Sequence, residues 1–171
     1  WREFFGIEAP RVLESKSRAI GQAAESLKIR LDPNSIRDLA AEIEWRKYSM
    51  LSLEEYQDEL SKRPVIQGLS PIRSFEIQEA YEDAKVKAKQ IDWEDVLLLC
   101  TGMLKAEPRA LAHVHQQYRF FTVDEYQDIS RLQQELLDTW LGDRSDLCVV
   151  GDPNQTIYSF TGASASFLEN F

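Results

Sequence analysis

Residues 120–128 read Phe-Phe-Thr-Val-Asp-Glu-Tyr-Gln-Asp. A short apolar run of β type that ends in two adjacent carboxylates suits phosphate chemistry. The first, Asp124, can hold Mg²⁺, which takes hard oxygen ligands and keeps several of its waters. The second, Glu125, can orient and deprotonate the water that attacks a terminal phosphate. An acidic turn after a core strand has the same composition, so this stretch alone leaves both readings open. A second apolar run, residues 147–150, ends in Gly151-Asp152 and continues Pro-Asn-Gln-Thr-Ile-Tyr-Ser-Phe-Thr-Gly-Ala to residue 163. Gly151 lets the backbone turn close to a ligand. Asp152 adds a carboxylate, and Gln155 offers a neutral hydrogen-bonding group to a terminal phosphate. Phe160 offers a ring on which any base can stack.

The elements that must position these residues are legible around them. Between the two apolar runs, Leu132, Leu136, Leu137 and Trp140 fall on one face of a helix over about 130–141, with Gly142 as its stop. Strand, helix, strand predicts parallel strands with a right-handed crossover. Asp124 and Asp152 then lie at neighbouring carboxyl ends, where open α/β sheets bind ligands. Upstream, Asp92 reads as an N-cap for a helix through Val96–Leu99, and Pro108 opens another to about 117. The first half reads as helices: 11–31, then a turn at Pro33-Asn34, then 35–49. A short helix follows a capping box at Ser52 and Glu55, and after a loop over 63–71 comes a helix over 74–89.

Composition bounds the reading. The chain has 171 residues, 43% hydrophobic and 29% charged, which suits globular rather than disordered structure. No apolar run approaches the ~20 residues of a membrane span, and no secretory leader is recognisable. The two cysteines, Cys100 and Cys148, sit in apolar surroundings and read as reduced core thiols of a cytoplasmic protein. Residues 1–90 carry 15 Lys and Arg against 16 Asp and Glu; residues 91–171 carry 5 against 13. The shift predicts a boundary near residue 90. The acidic second half argues against a broad phosphate-binding surface there and suits a divalent cation. The chain opens on Trp1 rather than Met, so either a segment processed off or a piece cut from something larger is expected.

The sequence DEYQD followed by VVGDPNQTIYSFTGA resembles motifs II and III of the UvrD/Rep/PcrA-type superfamily 1 DNA helicases. Residues 92–97, Asp-Trp-Glu-Asp-Val-Leu, resemble the stretch that precedes motif II in that family, and the helical first half resembles its inserted 1B subdomain. Within the family the pattern is similar to actinobacterial UvrD-like proteins. The resemblance implies that Asp124 holds Mg²⁺, that Glu125 is the catalytic base, and that Gln155 senses the γ-phosphate and couples it to DNA. Gln127 and Asp128 complete motif II. Tyr158 and Phe160 would lie along a single-stranded DNA path, Phe160 where the family often has a stacking tryptophan. Two positions depart from the pattern: Thr161 stands where an arginine is common, and Ser159 where a basic residue or glycine is common. No G-x-x-x-x-G-K-[ST] loop occurs in the sequence.

The resulting expectation is a mainly α chain with a small α/β part. Residues 1–90 form a helical 1B-like subdomain. Residues 91–171 form an incomplete P-loop-NTPase-like (RecA-like) 1A domain with a short parallel sheet. The implied protein is an ATP-dependent DNA helicase or translocase using Mg²⁺ and ATP, and its partners are single-stranded DNA, a duplex junction and the remaining motor domains of the same chain. The piece alone is expected to be inactive and to hold no cofactor tightly. Two other classes are weighed: a non-catalytic DNA- or protein-binding module that keeps the fold, and a Mg²⁺-dependent nuclease built on Asp124, Asp128 and Asp152. His113 and His115, two apart on a helix, point to different faces and read as no metal pair. Trp45, Trp93 and Trp140 read as core or subdomain contacts. A sheet of two parallel strands has bare edges, so exposed apolar surface near Phe120 and Val149, and self-association through it, are expected.

Overall fold

The computed structural model describes residues 2–157, 163 and 165–171. The chain divides into two compact units. One is Pro10–Trp93; the other joins the residues before Pro10 to Glu94–Phe171. A short α1 (Arg2–Phe5) belongs to the latter.

The Pro10–Trp93 unit contains β1 (Arg11–Val12), α2 (Lys16–Ser26), α3 (Pro33–Tyr48), α4 (Leu53–Glu59), α5 (Pro71–Ala88) and β2 (Gln90–Ile91). Each helix start is written in a capping side chain. Ser15 accepts from the Arg18 N–H, Asp32 from the Asn34 and Ser35 N–H groups, and Ser70 from the Arg73 N–H. Ser52 and Glu55 form the expected reciprocal box. Ile20, Ala23 and Ala24 of α2 bury against Leu39 and Ile43 of α3 and Ile77 and Tyr81 of α5.

Three boundaries differ from the sequence reading, each for a local reason. The helix expected over 11–31 is shorter, because Arg11 and Val12 pair in parallel with Gln90 and Ile91. Ser15 then starts the helix, and Lys28 ends its last turn at φ +61°. Pro33-Asn34 is not a turn but the first turn of α3. Proline lacks an N–H, yet the first helical residue needs none. The same reason starts α5 at Pro71 rather than Ser74.

An ion cluster is buried in this unit. Asp92 is 2% exposed, and its Oδ2 accepts from Lys47 Nζ at 2.6 Å, Lys85 Nζ at 2.9 Å and the Tyr81 hydroxyl at 2.9 Å. Glu82 pairs with the same two lysines at 3.1 and 2.7 Å, and with Arg46 at 2.5 Å. Burial alone would push the Asp92 carboxyl up. The two ammonium groups and their hydrogen bonds outweigh it and hold the carboxyl far below the ordinary carboxylate range.

The second unit continues with α6 (Trp93–Ala106), α7 (Pro108–Gln117), β3 (Phe121–Val123), α8 (Arg131–Leu141), β4 (Leu147–Val149) and a short α9 (Ser166–Glu169). The strand, helix, strand order is the expected one. β3 and β4 are parallel, in the register Phe121↔Leu147, Thr122↔Cys148, Val123↔Val149. Ser130 caps α8 in a box with Gln133, and Gly142 closes it at φ +60°. Phe121, Val123, Leu147 and Val149 pack on Tyr126, Ile129 and Leu137. A second cluster joins Leu104, Ala110 and Leu136, with Phe4 and Trp140 against it. The protein is thus mainly α with a small α/β part.

One core assignment from the sequence is corrected, and of the three tryptophans read as core or subdomain contacts one lies outside the core. Cys148 is exposed, because strand alternation turns it and Thr122 away from the covered face of the sheet. Trp93 is 68% exposed, whereas Trp140 stacks on Phe121 and Trp45 lies under the Arg63 guanidinium.

Replacing Asp92 by alanine removes the carboxylate oxygen that accepts from Lys47, Lys85 and Tyr81 together. We expect a loss of about 3 kcal/mol in urea unfolding. Because the folded-state pKa is depressed, the stability Asp92 contributes is complete above about pH 4. It falls as the pH drops below that value, and Asp92→Asn should flatten this acid slope.

Candidate functional site at the carboxyl ends of the parallel strands

The turn after β3 is tight. Asp124 Oδ1 accepts from the Glu125 N–H at 2.9 Å, and both side chains are exposed. Glu125 sits in the left-handed region at φ +53°, ψ 40°. Residues Tyr126–Asp128 then form a single 3₁₀ turn, with the Asp128 N–H on the Glu125 carbonyl at 2.9 Å. Tyr126 is buried, and its hydroxyl donates to Gln134 Oε1 of α8.

The turn after β4 is organised by Asp152. Its Oδ1 accepts from the Asn154 N–H at 2.9 Å and from Asn154 Nδ2, and its Oδ2 accepts from Gln155 Nε2 at 2.8 Å. The Asn154 N–H first, and then the side-chain amides of Gln155 and Asn154, hold the Asp152 carboxyl below its ordinary value. Both oxygens are therefore taken up within their own turn. Asp152 shapes the loop, and the Gln155 amide is folded back upon it.

The two turns are joined directly. The Tyr126 N–H donates to the Val150 carbonyl at 2.9 Å, the Asp152 N–H to Gln127 Oε1 at 3.0 Å, and the Ile157 N–H to Asp128 Oδ1 at 3.1 Å. Further on, Ala163 bridges antiparallel to Ser130. Gly151 is required by this contact. A Cβ there would collide with Gln127 Oε1 and stand 3.1 Å from the Tyr126 nitrogen.

The structure thus brings Asp124, Glu125, Gln127, Asp128, Gly151, Asp152 and Gln155 to one edge of the β3–β4 sheet. Tyr158, Phe160, Ser159 and Thr161 lie outside the described residues. His115 faces the Thr139 carbonyl at 3.2 Å, and His113 is exposed. No set of three metal-type side chains converges among the described residues. Asp124 offers an exposed carboxylate oxygen that fits a cation whose remaining positions are filled by water and phosphate oxygens. A nuclease centre that counts Asp152 as a ligand fits less well, since both of its carboxylate oxygens already accept amide hydrogen bonds within the loop. The joining role of Gln127 has no sequence signal beyond its place between Glu125 and Asp128.

This edge, with exposed carboxylates on one turn and a polar loop pinned beside it, lies at the carboxyl ends of parallel strands, where open α/β sheets bind ligands. The model of the UvrD/REP helicase N-terminal domain matches residues 9–171, and the chain belongs to that family. It is 37% identical to "ATP-dependent DNA helicase UvrD2" of Mycobacterium tuberculosis, over 100% of this chain and 25% of that protein. It is 27% identical to "ATP-dependent DNA helicase UvrD1" of the same organism, over 96% of this chain and 21% of that protein. A shorter match, 30% identical over 57% of the chain, is to "Putative ATP-dependent DNA helicase YjcD" of Bacillus subtilis. The chain spans about a quarter of the length of the first of these relatives.

Gly151→Ala tests the joint between the turns. Overpacking against a buried amide and a backbone nitrogen should destabilise the unit by about 1–3 kcal/mol in thermal or urea unfolding.

Proposed function

We propose that this chain is part of an ATP-dependent DNA helicase or translocase and carries the hydrolytic edge of its first motor domain. The observation that supports this reading best is the pairing of the two turns. Carboxylates 124 and 125 and the loop over 151–157 are held together at the carboxyl ends of adjacent parallel strands. In this reading Pro10–Trp93 is the inserted 1B-like helical subdomain. Glu94–Phe171, with the first residues of the chain, is the partial RecA-like 1A domain.

Magnesium-bound ATP, when present, supplies the γ-phosphoryl group that is transferred to water. Asp124 would hold the cation, directly or through its waters. Glu125 would orient the attacking water and take its proton. Gln155 would meet the γ-phosphate after releasing Asp152, and so exchange a contact within its own loop for a contact with the nucleotide. That exchange would change the loop that leads to Tyr158 and Phe160, the residues proposed to lie along single-stranded DNA. Base stacking on Phe160 would hold a strand without regard to sequence.

The sequence holds no phosphate-cradling glycine-rich loop with its lysine, so a second part of the molecule is needed to bind the triphosphate. Phe120, just before β3, is 79% exposed, and Val150, just after β4, is 52% exposed, at opposite ends of the strand pair. These two exposed apolar side chains are proposed to meet the rest of the motor domain, or, in the separate chain, a second copy.

Three outcomes are expected. The 171-residue chain by itself turns over no ATP in a phosphate-release assay. In the longer helicase, Glu125→Gln lowers the DNA-stimulated kcat by about 100-fold or more while nucleotide binding persists. A dilution series by light scattering on the separate chain shows reversible association, and a strict monomer at high concentration would overturn the self-association proposal. Nucleotide-independent cleavage of DNA that needs Mg²⁺ and is lost in Asp152→Ala would favour the nuclease reading instead.

A further inference from the structure

We infer that Gln127 is a positioning residue that clamps Glu125 to the loop after β4, so that the water-activating carboxylate and the phosphate-contacting segment move as one body. This inference rests on the helicase reading for its chemistry, but its geometry is independent of it.

Gln127 is fully buried, at 0% exposure. A buried primary amide is costly unless both of its ends are satisfied. Here they face opposite partners. Nε2 donates to Glu125 Oε2 at 2.5 Å, and Oε1 accepts from the Asp152 N–H at 3.0 Å. The orientation of the amide is fixed by chemistry. If it were turned over, its carbonyl would face a carboxylate and its NH₂ would face a backbone N–H, and both contacts would be lost. Only glutamine supplies a donor and an acceptor in this fork without adding charge beside Glu125.

Two further facts show why such a clamp is needed here. Glu125 has a left-handed backbone, a conformation uncommon for a non-glycine residue. Its carboxylate is otherwise exposed, so without Gln127 the side chain would sample several rotamers. On the other side, the segment 151–157 makes no strand pairing. Its described ties to the first turn are the Asp152 N–H on Gln127 and the Ile157 N–H on Asp128. Gly151 completes the fit, because only a residue without a Cβ leaves room for the Gln127 carbonyl oxygen. One buried amide therefore fixes the rotamer of the proposed base and the position of the neighbouring loop. A shift of either is transmitted to the other.

The test uses two substitutions that separate the two ends of the amide. Gln127→Met keeps the length and loses both hydrogen bonds. Gln127→Glu keeps an acceptor for the Asp152 N–H and replaces the donor by a charge facing Glu125. Hydrogen exchange on the 171-residue chain is read at residues 151–157, with α2 and α5 as internal controls. Gln127→Met should raise exchange there by about 10-fold or more and leave α2 and α5 unchanged; Gln127→Glu should leave 151–157 close to wild type. In the longer helicase both variants should lower the ATPase kcat by about 100-fold, the scale of a mispositioned catalytic group, with KM for ATP within about twofold of wild type. Unchanged exchange in Gln127→Met, or unchanged kcat in Gln127→Glu, would overturn the clamp. A general rise in exchange in both variants would overturn it too, since Gln127 would then be only a core residue. If the wild-type helicase shows no DNA-dependent ATP hydrolysis, the helicase reading fails, and the exchange result alone decides the clamp.

Discussion

Two parallel strands cannot be joined by a tight turn. The chain must leave the end of β3, cross back through a helix and enter β4 from the same side. In this protein α8 makes that crossing, and it is anchored by Ser130 and Gln133 at its start and by Gly142 at its end. The consequence is that both strands finish together. Everything of chemical interest depends on it: Asp124 and Glu125 leave one strand where Gly151 and Asp152 leave the other. The same pairing leaves one face of the sheet, with Thr122 and Cys148, exposed, while Phe121, Val123, Leu147 and Val149 cover the core.

The turns at these strand ends carry a left-handed residue, Glu125, and a fully buried amide, Gln127. A left-handed glutamate costs about 1 kcal/mol relative to glycine at the same place. A glutamine excluded from water costs more if either end is left unpaired. Both features are held by a short set of hydrogen bonds between residues 125–128 and 150–157. Local deviations of this kind concentrate where geometry matters more than stability.

The helical unit solves a different problem. Its apolar core is ordinary, but Lys47, Lys85 and Asp92 are all buried to within a few percent. Such a cluster is a poor source of net stability, because desolvation offsets most of the attraction. It does impose one arrangement: the carboxylate that follows β2 must meet lysines from α3 and α5. The same segment is bound again by the pairing of β2 with β1, which brings together the two ends of the Pro10–Trp93 unit.

Much was legible in the sequence, and for a physical reason. Capping residues act on backbone groups within four positions, so Ser52, Pro108 and Gly142 announce their helix ends locally. Apolar periodicity announced α3, α8 and the two strands of the site, and the order of elements required those strands to be parallel. The residue types at 124–128 and 151–155 were enough to mark the candidate site. What the sequence could not determine was anything decided between distant segments. The two-residue pairing of β1 with β2 has no local signature and overrides a helical pattern. Asp92 reads as a helix cap, yet its carboxylate meets lysines 45 and 7 residues away. Cys148 looks like core until the strand's alternation meets a face that nothing in the described chain covers. Gln127 looks like one polar residue among several. Only the folded chain aligns its amide with Glu125 on one side and Asp152 on the other, because a side-chain hydrogen bond depends on three-dimensional position and not on spacing.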